Sequence, residues 1–320
     1  MVRWGFLGAG AIASHALAPA VHAAKDAELY AVAARDPARA AALRPTGVTY
    51  ASYEQLLEDP LVDVVYVALA NDAHRPWTVA ALEAGKHVLC EKPIALNVAD
   101  LDVMAAAADQ AERLLVEALF YRWHPAVRRA EQLIRDGRIG TVRRVDAGFA
   151  FSGVAQGNFR LDPARGGGAM YDVGCYPISA ALMAFGQQPS EVSATFGLGD
   201  TGVDLSADAV LTFADGEATV HAGMSEADRQ WLVVSGEDGV LEFDDRPFTA
   251  WFGPDSELRI GDEAVRVGAT DPYRLMVEQV SATIGGERAY VLPLEESRLC
   301  AAVTDAAFES VRRGQPVQLT

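Results

Sequence analysis

Apolar residues in the first 120 positions fall into short runs that are separated by alanine-rich segments with helical spacing. The runs predict β-strands at residues 2–7, 29–33, 64–69, 87–89 and 114–118. The segments between them, such as 12–24, 39–43 and 77–84, have the length and spacing of helices. Strands that alternate with helices are typical of βαβ units, so we expect a parallel sheet covered by helices over residues 1–120.

The pattern changes after residue 120, where stretches of alternating apolar and polar positions become frequent. They predict strands at residues 142–152, 191–196, 207–213, 217–223, 230–235, 239–243 and 248–252. Turn pairs such as Asp215-Gly216 and Asp238-Gly239 separate several of them. Helical patterns lie at 125–136, 170–184, 272–284 and 294–311. We therefore expect a second, α+β domain over residues 121–320 that is built on a large, mostly antiparallel sheet.

A glycine-containing segment, Gly8-Ala9-Gly10-Ala11-Ile12-Ala13, follows the first predicted strand and opens a helical pattern. Glycines at this turn let backbone N–H groups approach a pyrophosphate closely, and the start of the helix adds partial positive charge. The segment predicts a Rossmann dinucleotide-binding domain over residues 1–120, with Gly8, Gly10, Ala11 and Ile12 at the cofactor.

The residues that end the second predicted strand indicate which nicotinamide cofactor binds. In NAD-dependent domains an acidic residue about 20 positions further on binds the ribose 2′-hydroxyl, whereas an arginine accommodates the 2′-phosphate of NADP. Ala34 stands where the acidic residue is expected, and Arg35 and Arg39 follow it, so the pattern favours NADP, with NAD possible. Asp36 is the rival that would favour NAD, although its place before Pro37 also explains it as a helix cap.

Two later segments carry candidate catalytic residues. Lys92 follows the predicted strand 87–89 in a Glu-Lys-Pro turn, and a lysine at the carboxyl end of such a strand faces the ligand crevice of an open α/β sheet. Asp172 and Tyr176 are four positions apart, so on a helix they lie on one face. Glycines 166–168 precede them and let the backbone pass close to a bound ring.

The chemistry of these three residues points to proton transfer. A tyrosine is a poor base at neutral pH because its ordinary pKa is ~10. A neighbouring ammonium group stabilises the phenolate, and a carboxylate can orient the pair. Lys92 and Asp172 supply these two charges if the two domains bring them to Tyr176.

These motifs together resemble the glucose-fructose oxidoreductase/inositol dehydrogenase/MocA (Gfo/Idh/MocA) family over essentially the whole chain. The glycine loop is followed, in order, by ANDAH at 70–74, EKP at 91–93, EALFYRWHP at 117–125 and GGAMYDVGCY at 167–176. The resemblance implies a Rossmann domain followed by a domain whose open-faced antiparallel sheet binds substrate and often mediates dimerisation. We accordingly expect a homodimer or a higher homo-oligomer.

The resemblance also implies roles for single residues. It places Lys92 beside the nicotinamide and the substrate hydroxyl, and it places Asn71, His74 and Glu91 along the cofactor. Many relatives carry histidine at position 176. The tyrosine here resembles that of the trans-dihydrodiol dehydrogenase and NADP-dependent D-xylose dehydrogenase branch, and also that of glucose-fructose oxidoreductase and some nucleotide-sugar ketoreductases.

Four further residues are candidates for lining the substrate pocket. Family analogy puts Arg122 and His124 near the substrate, although their segment could equally be packing between domains. Phe159 and Arg160 precede the glycine run and are candidates by position.

The composition limits the kinds of molecule that the chain is expected to bind. The chain has 44 acidic and 27 basic residues and a formal charge of −17, which disfavours binding to nucleic acid. We find no apolar stretch of the ~20 residues that a membrane helix needs, and the N-terminus has the pattern of a strand rather than a leader, so we expect a cytoplasmic protein. The histidines and the three cysteines form no cluster with ligand spacing, so we expect no metal.

The sequence thus predicts an NADP-preferring oxidoreductase that transfers hydride between the nicotinamide and a hydroxyl-bearing carbon of a small sugar or vicinal diol. Tyr176 would be the general base, Lys92 would hold the substrate oxygen, and Asp172 would position them. Two alternatives stay open, a nucleotide-sugar ketoreductase that shares Lys92 and Tyr176, and a non-catalytic NADP(H)-binding sensor. A sensor needs only the glycine loop, so the three catalytic candidates together argue against it.

Overall fold

The computed structural model describes residues 1–243, 248–249 and 255–319. Contacts between Cα atoms divide the chain into two compact units. The first unit comprises Met1–Ala95, Ala99–Phe120 and Asp271–Leu294, and the second comprises Leu96–Val98, Tyr121–Thr270 and Glu295–Thr320. The assignment of a dinucleotide-binding domain to 1–120 and of a substrate-binding, dimerising domain to 121–320 stays a prediction.

The strands and helices have the following bounds. The strands are β1 Val2–Leu7, β2 Ala27–Ala33, β3 Val48–Tyr50, β4 Val64–Val67, β5 His87–Cys90, β6 Leu115–Glu117, β7 Val142–Ala150, β8 Glu191–Leu198, β9 Asp204–Thr212, β10 Glu217–Gly223, β11 Arg229–Gly236, β12 Val240–Phe243, β13 Ser256–Ile260, β14 Glu263–Val267 and β15 Val317–Gln318. The helices are α1 Ala18–Ala23, α2 Pro37–Ala42, α3 Tyr53–Glu58, α4 His74–Glu83, α5 Val98–Ala111, α6 Pro125–Arg135, α7 Cys175–Phe185, α8 Pro272–Ile284 and α9 Leu294–Arg313. A π-helical turn, Ala13–Leu17, leads into α1, and another, Met170–Gly174, leads into α7.

The first unit is built on a parallel sheet with the strand order β3-β2-β1-β4-β5-β6. Every residue of β4 is buried, as expected for a strand that is covered on both faces. The strand order reverses between β1 and β4, and in open α/β sheets ligands bind at the carboxyl ends of the strands at such a point. The glycine loop after β1 and the turn after β5 both lie at carboxyl ends of strands.

Helix α8 belongs to the first unit although it comes late in the chain. The indole Nε1 of Trp4 in β1 donates a hydrogen bond to the buried Ser281 hydroxyl of α8 at 3.1 Å. The ring of Tyr273 in α8 stacks on Phe120 with centroids 4.2 Å apart. Burial of these aromatic rings fixes α8 on the Rossmann sheet.

The second unit is built on a sheet with the order β14-β13-β12-β11-β7-β10-β9-β8-β15. Its strand pairs are antiparallel except for β7 and β10, which run parallel. Helix α7 packs against β7 and β10, and almost all of its residues are buried. Inward residues such as Val145 and Ala147 alternate along β7 with more exposed ones.

The predicted fold class is confirmed: a parallel Rossmann sheet and a large, mostly antiparallel sheet, with helices on both. The predicted strand at 248–252 lies mostly outside the described residues, and the two described positions, Phe248 and Thr249, form a turn. No helix within the described ranges is long and apolar enough to cross a membrane.

Candidate active site

The glycine loop is closely packed against the chain at Gly8 and has open space at Gly10. Gly8 has a φ of +99°, and a Cβ at this position would lie 2.5 Å from the carbonyl oxygen of Ala68. Its N–H donates to the carbonyl of Ala33 at 2.8 Å, which ties the loop to the end of β2. A Cβ on Gly10, by contrast, would meet no described atom within 4 Å. Gly8 is therefore required by the chain itself, and Gly10 leaves the space that a pyrophosphate would approach, so the loop fits a dinucleotide.

The residues that follow β2 were predicted to determine which nicotinamide cofactor binds. The Asp36 carboxylate accepts hydrogen bonds from the N–H groups of Ala38 at 2.9 Å and Arg39 at 3.5 Å, and so caps α2. Neither Arg35 nor Arg39 has an ion pair or a side-chain hydrogen bond with another described residue. Asp36 is thus used by its own helix, while two guanidinium groups are open to a ligand.

The turn that carries Lys92 is held by a buried histidine. The ring nitrogens of His74 lie 2.8 Å from the Pro93 carbonyl oxygen and 3.2 Å from that of Leu69. Burial lowers the pKa of His74, while the hydrogen bonds to the two carbonyl oxygens act in the opposite direction. The Lys92–Pro93 peptide is cis. His74 thereby joins the turn after β5 to the loop after β4.

Glu91, which precedes Lys92, is also buried in this framework. The Tyr66 hydroxyl donates to Glu91 Oε1, and Lys92 N lies 3.3 Å from Oε2. Burial raises the pKa of Glu91. One residue that sequence reasoning missed, Glu117, accepts a hydrogen bond from Ile94 N at 3.0 Å and supports the other side of the turn. Contacts of Glu91, His74 and Asn71 with a cofactor stay predictions; in the structure Asn71 opens a single 3₁₀ turn, Asn71–Ala73.

In the second unit, the structure brings Asp172 together with Arg160, and Phe159 contacts Arg160. Arg160 Nε donates to the buried Asp172 Oδ2 at 2.7 Å. The Arg160 guanidinium carbon also lies 4.8 Å from the centre of the Phe159 ring, at the distance of a cation–π contact. The Asp172 charge is therefore balanced within its own unit.

Tyr176 lies in an aromatic cluster at the start of α7. Its ring centroid is 5.2 Å from that of Phe149 and 5.9 Å from that of Tyr121, and the residue is buried. The Tyr121 hydroxyl donates to Ser179 Oγ in α7 at 2.9 Å. These contacts fix the direction of the Tyr176 ring, which a positioned acid–base group requires.

A residue that the sequence did not indicate, Asp204, anchors the segment that carries Asp172. Asp204 Oδ2 accepts a hydrogen bond from Met170 N at 2.6 Å. Gly168 has a φ of +121°, and a Cβ there would overlap the Asp204 carboxylate. Burial raises the pKa of Asp204 to about 6. Asp204 lies 34 positions from Met170, so no local motif signals the contact.

Arg122 and His124, predicted as substrate residues, have partners inside the second unit. Arg122 is 1% exposed, and its guanidinium lies 2.5 Å from Glu296 Oε2 and 3.3 Å from Ser179 Oγ. His124 Nδ1 accepts a hydrogen bond from Ala126 N at 3.2 Å and caps α6, and burial lowers the pKa of His124 to about 4. Both residues support the fold of this unit, and their contact with substrate stays a prediction.

Comparisons with known proteins cover nearly the entire chain. A family model described as an oxidoreductase family with an NAD-binding Rossmann fold matches residues 2–119, and one for the GFO/IDH/MocA C-terminal domain matches residues 127–242. A D-xylose 1-dehydrogenase (NADP(+)) of Haloferax volcanii is 34% identical over 99% of this chain and 100% of its own length. A trans-1,2-dihydrobenzene-1,2-diol dehydrogenase of Xenopus laevis is 29% identical over 97% of this chain and 98% of its own.

A solved structure gives the same result for the fold. The crystal structure of a 3-ketoreductase from Actinomadura kijaniata in complex with NADP and TDP-benzene is 31% identical and superposes with a TM-score of 0.87. The match covers 98% of each chain.

Proposed function

Because the chain belongs to the Gfo/Idh/MocA family of oxidoreductases, with an NAD(P)-binding Rossmann domain, we propose that it is an NADP-preferring dehydrogenase of sugars or vicinal diols. The family that the motifs indicate is confirmed by both family models. The reaction is hydride transfer between a hydroxyl-bearing carbon and the nicotinamide. The observation that carries the proposal is Tyr176, fixed in an aromatic cluster on the same segment as the buried Asp172–Arg160 pair.

The names of relatives support the substrate class. The matched Haloferax protein is a dehydrogenase of D-xylose, and the Xenopus protein is a dehydrogenase of a trans-diol. Both substrates carry adjacent hydroxyl groups, and one hydroxyl-bearing carbon is oxidised. We infer that this chain acts on a small substrate of the same kind.

The mechanism assigns one task to each catalytic residue. In the oxidative direction Tyr176 takes the proton of the substrate hydroxyl as the general base. Lys92 stabilises the phenolate form of Tyr176 and donates a hydrogen bond to the substrate oxygen. Asp172, held by Arg160, orients the tyrosine side of the site. The bound nicotinamide supplies the hydride acceptor.

NADP preference rests on the guanidinium groups of Arg35 and Arg39, which have no ion pair with any residue that the structure describes. The carboxylate that would bind a ribose 2′-hydroxyl is absent at Ala34, and Asp36 caps α2. Arg35 and Arg39 offer forked donors that suit a phosphate. Gly8, Gly10, Ala11 and Ile12 would hold the pyrophosphate, with Asn71, His74 and Glu91 along the cofactor.

The test is steady-state turnover of NADP⁺ and NAD⁺ with a panel of aldoses, polyols and trans-diols. Tyr176→Phe should keep NADPH affinity and lose turnover by about 10²-fold or more, since acid–base catalysis is worth that amount. Tyr171→Phe is the matched control, because Tyr171 lies on the same segment and its hydroxyl donates to the Leu96 carbonyl at 3.0 Å. Intact turnover in Tyr176→Phe would overturn the mechanism.

The cofactor preference has a separate test. Arg35→Ala should weaken NADP(H) binding far more than NAD(H) binding, because only NADP(H) carries the 2′-phosphate. Equal losses for the two cofactors would contradict the preference.

A second candidate is a nucleotide-sugar ketoreductase, favoured by the likeness to the Actinomadura 3-ketoreductase. NADPH binding with no turnover of free sugars or diols, together with NADPH oxidation by a keto nucleotide-sugar, would favour this candidate. NADPH binding without turnover of either class would favour the sensor. A homo-oligomer and a cytoplasmic location stay predictions.

A further inference from the structure

Asp204, the first residue of β9, contacts the start of the helical segment that carries Asp172 and Tyr176. Its Oδ2 accepts a hydrogen bond from Met170 N at 2.6 Å, and the N–H of Ala169 is a second donor to this carboxylate. The first N–H groups of a helix have no partner within the helix, and a negative charge beside them is also favoured by the helix dipole. Asp204 therefore caps this segment from a distant strand.

The backbone just before Asp172 is held on two sides. Gly168 has a φ of +121°, and a Cβ at this position would overlap the Asp204 carboxylate. On the other side, Gly168 N donates to the Arg160 carbonyl oxygen at 2.9 Å, while the Arg160 side chain binds Asp172. The position of Asp172 thus depends on Arg160 through one contact and on Asp204 through the backbone.

Ionised Asp204 lowers the stability of the folded chain. The residue is 2% exposed, and burial raises its pKa from an ordinary value of 3.8 to about 6, although the backbone N–H groups act in the opposite direction. Between these two pH values the folded chain binds more protons at Asp204 than the unfolded chain, so the free energy of unfolding falls as the pH rises through this range. Stability alone therefore does not account for a carboxylate at this position.

The titratable groups of the neighbouring elements have other partners. The elements that pack against β9 are β8, β10 and the π-helical turn. Their titratable side chains are those of Glu191, Glu217, His221, Tyr171 and Asp172. The first three lie opposite positions 208 and 212 of β9, away from its start. The last two are bound to the Leu96 carbonyl oxygen and to Arg160. Burial and backbone N–H groups therefore govern the titration of Asp204.

We propose that Asp204 is a positioning residue for the proposed reaction, and that its ionised form fixes the helical segment that carries Asp172 and Tyr176 more firmly than its protonated form does. The proposal rests on the proposed function of these two residues. A charge-assisted hydrogen bond is shorter and stronger than a neutral one, so protonation weakens the contact with Met170 N. Asp172 and Tyr176 follow Met170 closely along the helix, and a small displacement of reacting groups lowers turnover strongly.

The test compares the full-length wild type with Asp204→Asn, whose side chain has the shape of the protonated carboxyl group. Turnover of NADP⁺ with an accepted sugar or diol gives kcat at several pH values above and below the pKa of about 6. Thermal unfolding gives the stability, and hydrogen exchange of the amides of residues 169 and 170 reports the contact without any turnover. Asp59→Asn is the matched control, because Asp59 is a buried aspartate of the first unit that accepts a hydrogen bond from Leu61 N at 2.8 Å.

Above the pKa of Asp204, Asp204→Asn should lose kcat by about tenfold, since misplaced groups react slowly. It should exchange the two amides faster than the wild type and unfold at the same or a higher temperature, because the buried charge is gone. Below that pKa the wild type should lose kcat as well, so that the two proteins converge. Asp59→Asn should keep the wild-type kcat and its pH dependence.

A wild-type kcat in Asp204→Asn at every pH would overturn the proposal. A fall in kcat that is the same at every pH and accompanies a lower unfolding temperature would also overturn it, because the substitution would then only damage the fold. Faster amide exchange in Asp204→Asn, with no turnover of sugars or diols by the wild type, would reject the proposed reaction and support the contact itself.

Discussion

The carboxylate of Asp204 accepts a hydrogen bond from the backbone N–H of Met170 over 2.6 Å. Met170 begins the π-helical turn that carries Asp172 and leads into α7 with Tyr176. A buried carboxylate therefore fixes the backbone just before two of the proposed catalytic residues. Gly168 makes this contact possible, because any side chain there would occupy the space of the carboxylate.

Gly168→Ala should destabilise the fold by about 3 kcal/mol or more, because it combines a left-handed φ with steric overlap. Gly186→Ala is the control, since Gly186 has a φ of +64° with open space around its Cβ position and should cost about 1 kcal/mol. Urea unfolding of both variants measures the difference. Equal losses would mean that the Asp204 carboxylate moves aside without cost.

Arg160→Met should lower the free energy of unfolding by about 2 kcal/mol, because the buried Asp172 charge loses its arginine partner. Turnover should fall as well, and Arg160→Lys should restore part of both. Arg138→Met is the control: Arg138 pairs with Glu263 at 2.9 Å on the surface, and such a pair is worth about 0.5 kcal/mol. Unfolding in urea and kcat are the two measurements. Equal effects of Arg160→Met and Arg138→Met would contradict a special role for Arg160.

Substitution by alanine should have different effects on stability and NADPH binding at the two glycines of the phosphate loop. Gly10→Ala should leave the free energy of unfolding unchanged, since its Cβ would enter open space, and should weaken NADPH binding by about tenfold or more through loss of close approach to the pyrophosphate. Gly8→Ala should destabilise the chain itself, because its Cβ would contact the Ala68 carbonyl. Thermal unfolding with and without NADPH separates the two effects. Unchanged NADPH affinity in Gly10→Ala would place the cofactor elsewhere.

The buried His124 should make stability depend on pH. Its pKa is about 4 in the folded chain, while a histidine in an unfolded chain has a pKa of ~6.5. Between these values the unfolded chain binds more protons, so the free energy of unfolding falls as the pH is lowered, by about 3 kcal/mol at pH 4. His124→Asn keeps a capping residue for α6 and removes the titration.

The measurement is the difference between wild type and His124→Asn in urea unfolding at several pH values. The raised pKa of Asp204 acts with the opposite sign, because its protonated form is favoured by folding, but it is common to both proteins and cancels. Parallel curves for the two proteins would refute the assignment to His124.

The elements that the sequence predicts well are those in which one strong local signal acts alone. Strand β1 and helix α8 have their predicted bounds, because an apolar run defines the strand and a helical spacing defines the helix. The predicted cap at Asp36 is also present, since Pro37 marks the first position of α2. Strand β3, with three residues, and helix α3, with six, have too few positions to show a period. Helix α5 has 14 residues, but apolar side chains lie on most of its sides and its pattern is weak.

The residues of the candidate site also fall into those that a local motif indicates and those that depend on a distant contact. Gly8, Lys92, Asp172 and Tyr176 belong to short motifs whose chemistry can be derived from neighbouring residues. Asp204 could not be found in this manner, because its function depends on a contact with a residue 34 positions away.

Because α8 belongs to the first unit, the gene segment for residues 1–120 does not encode that unit completely. Trp4 donates a hydrogen bond to Ser281, so the nucleotide-binding fold is completed by residues 271–294, which follow most of the second unit along the chain. A gene fragment that ends near residue 120 would leave this aromatic surface uncovered, and it would encode an incomplete module. Recombination that transplants the Rossmann unit into another protein must therefore exchange two separate stretches of the gene together.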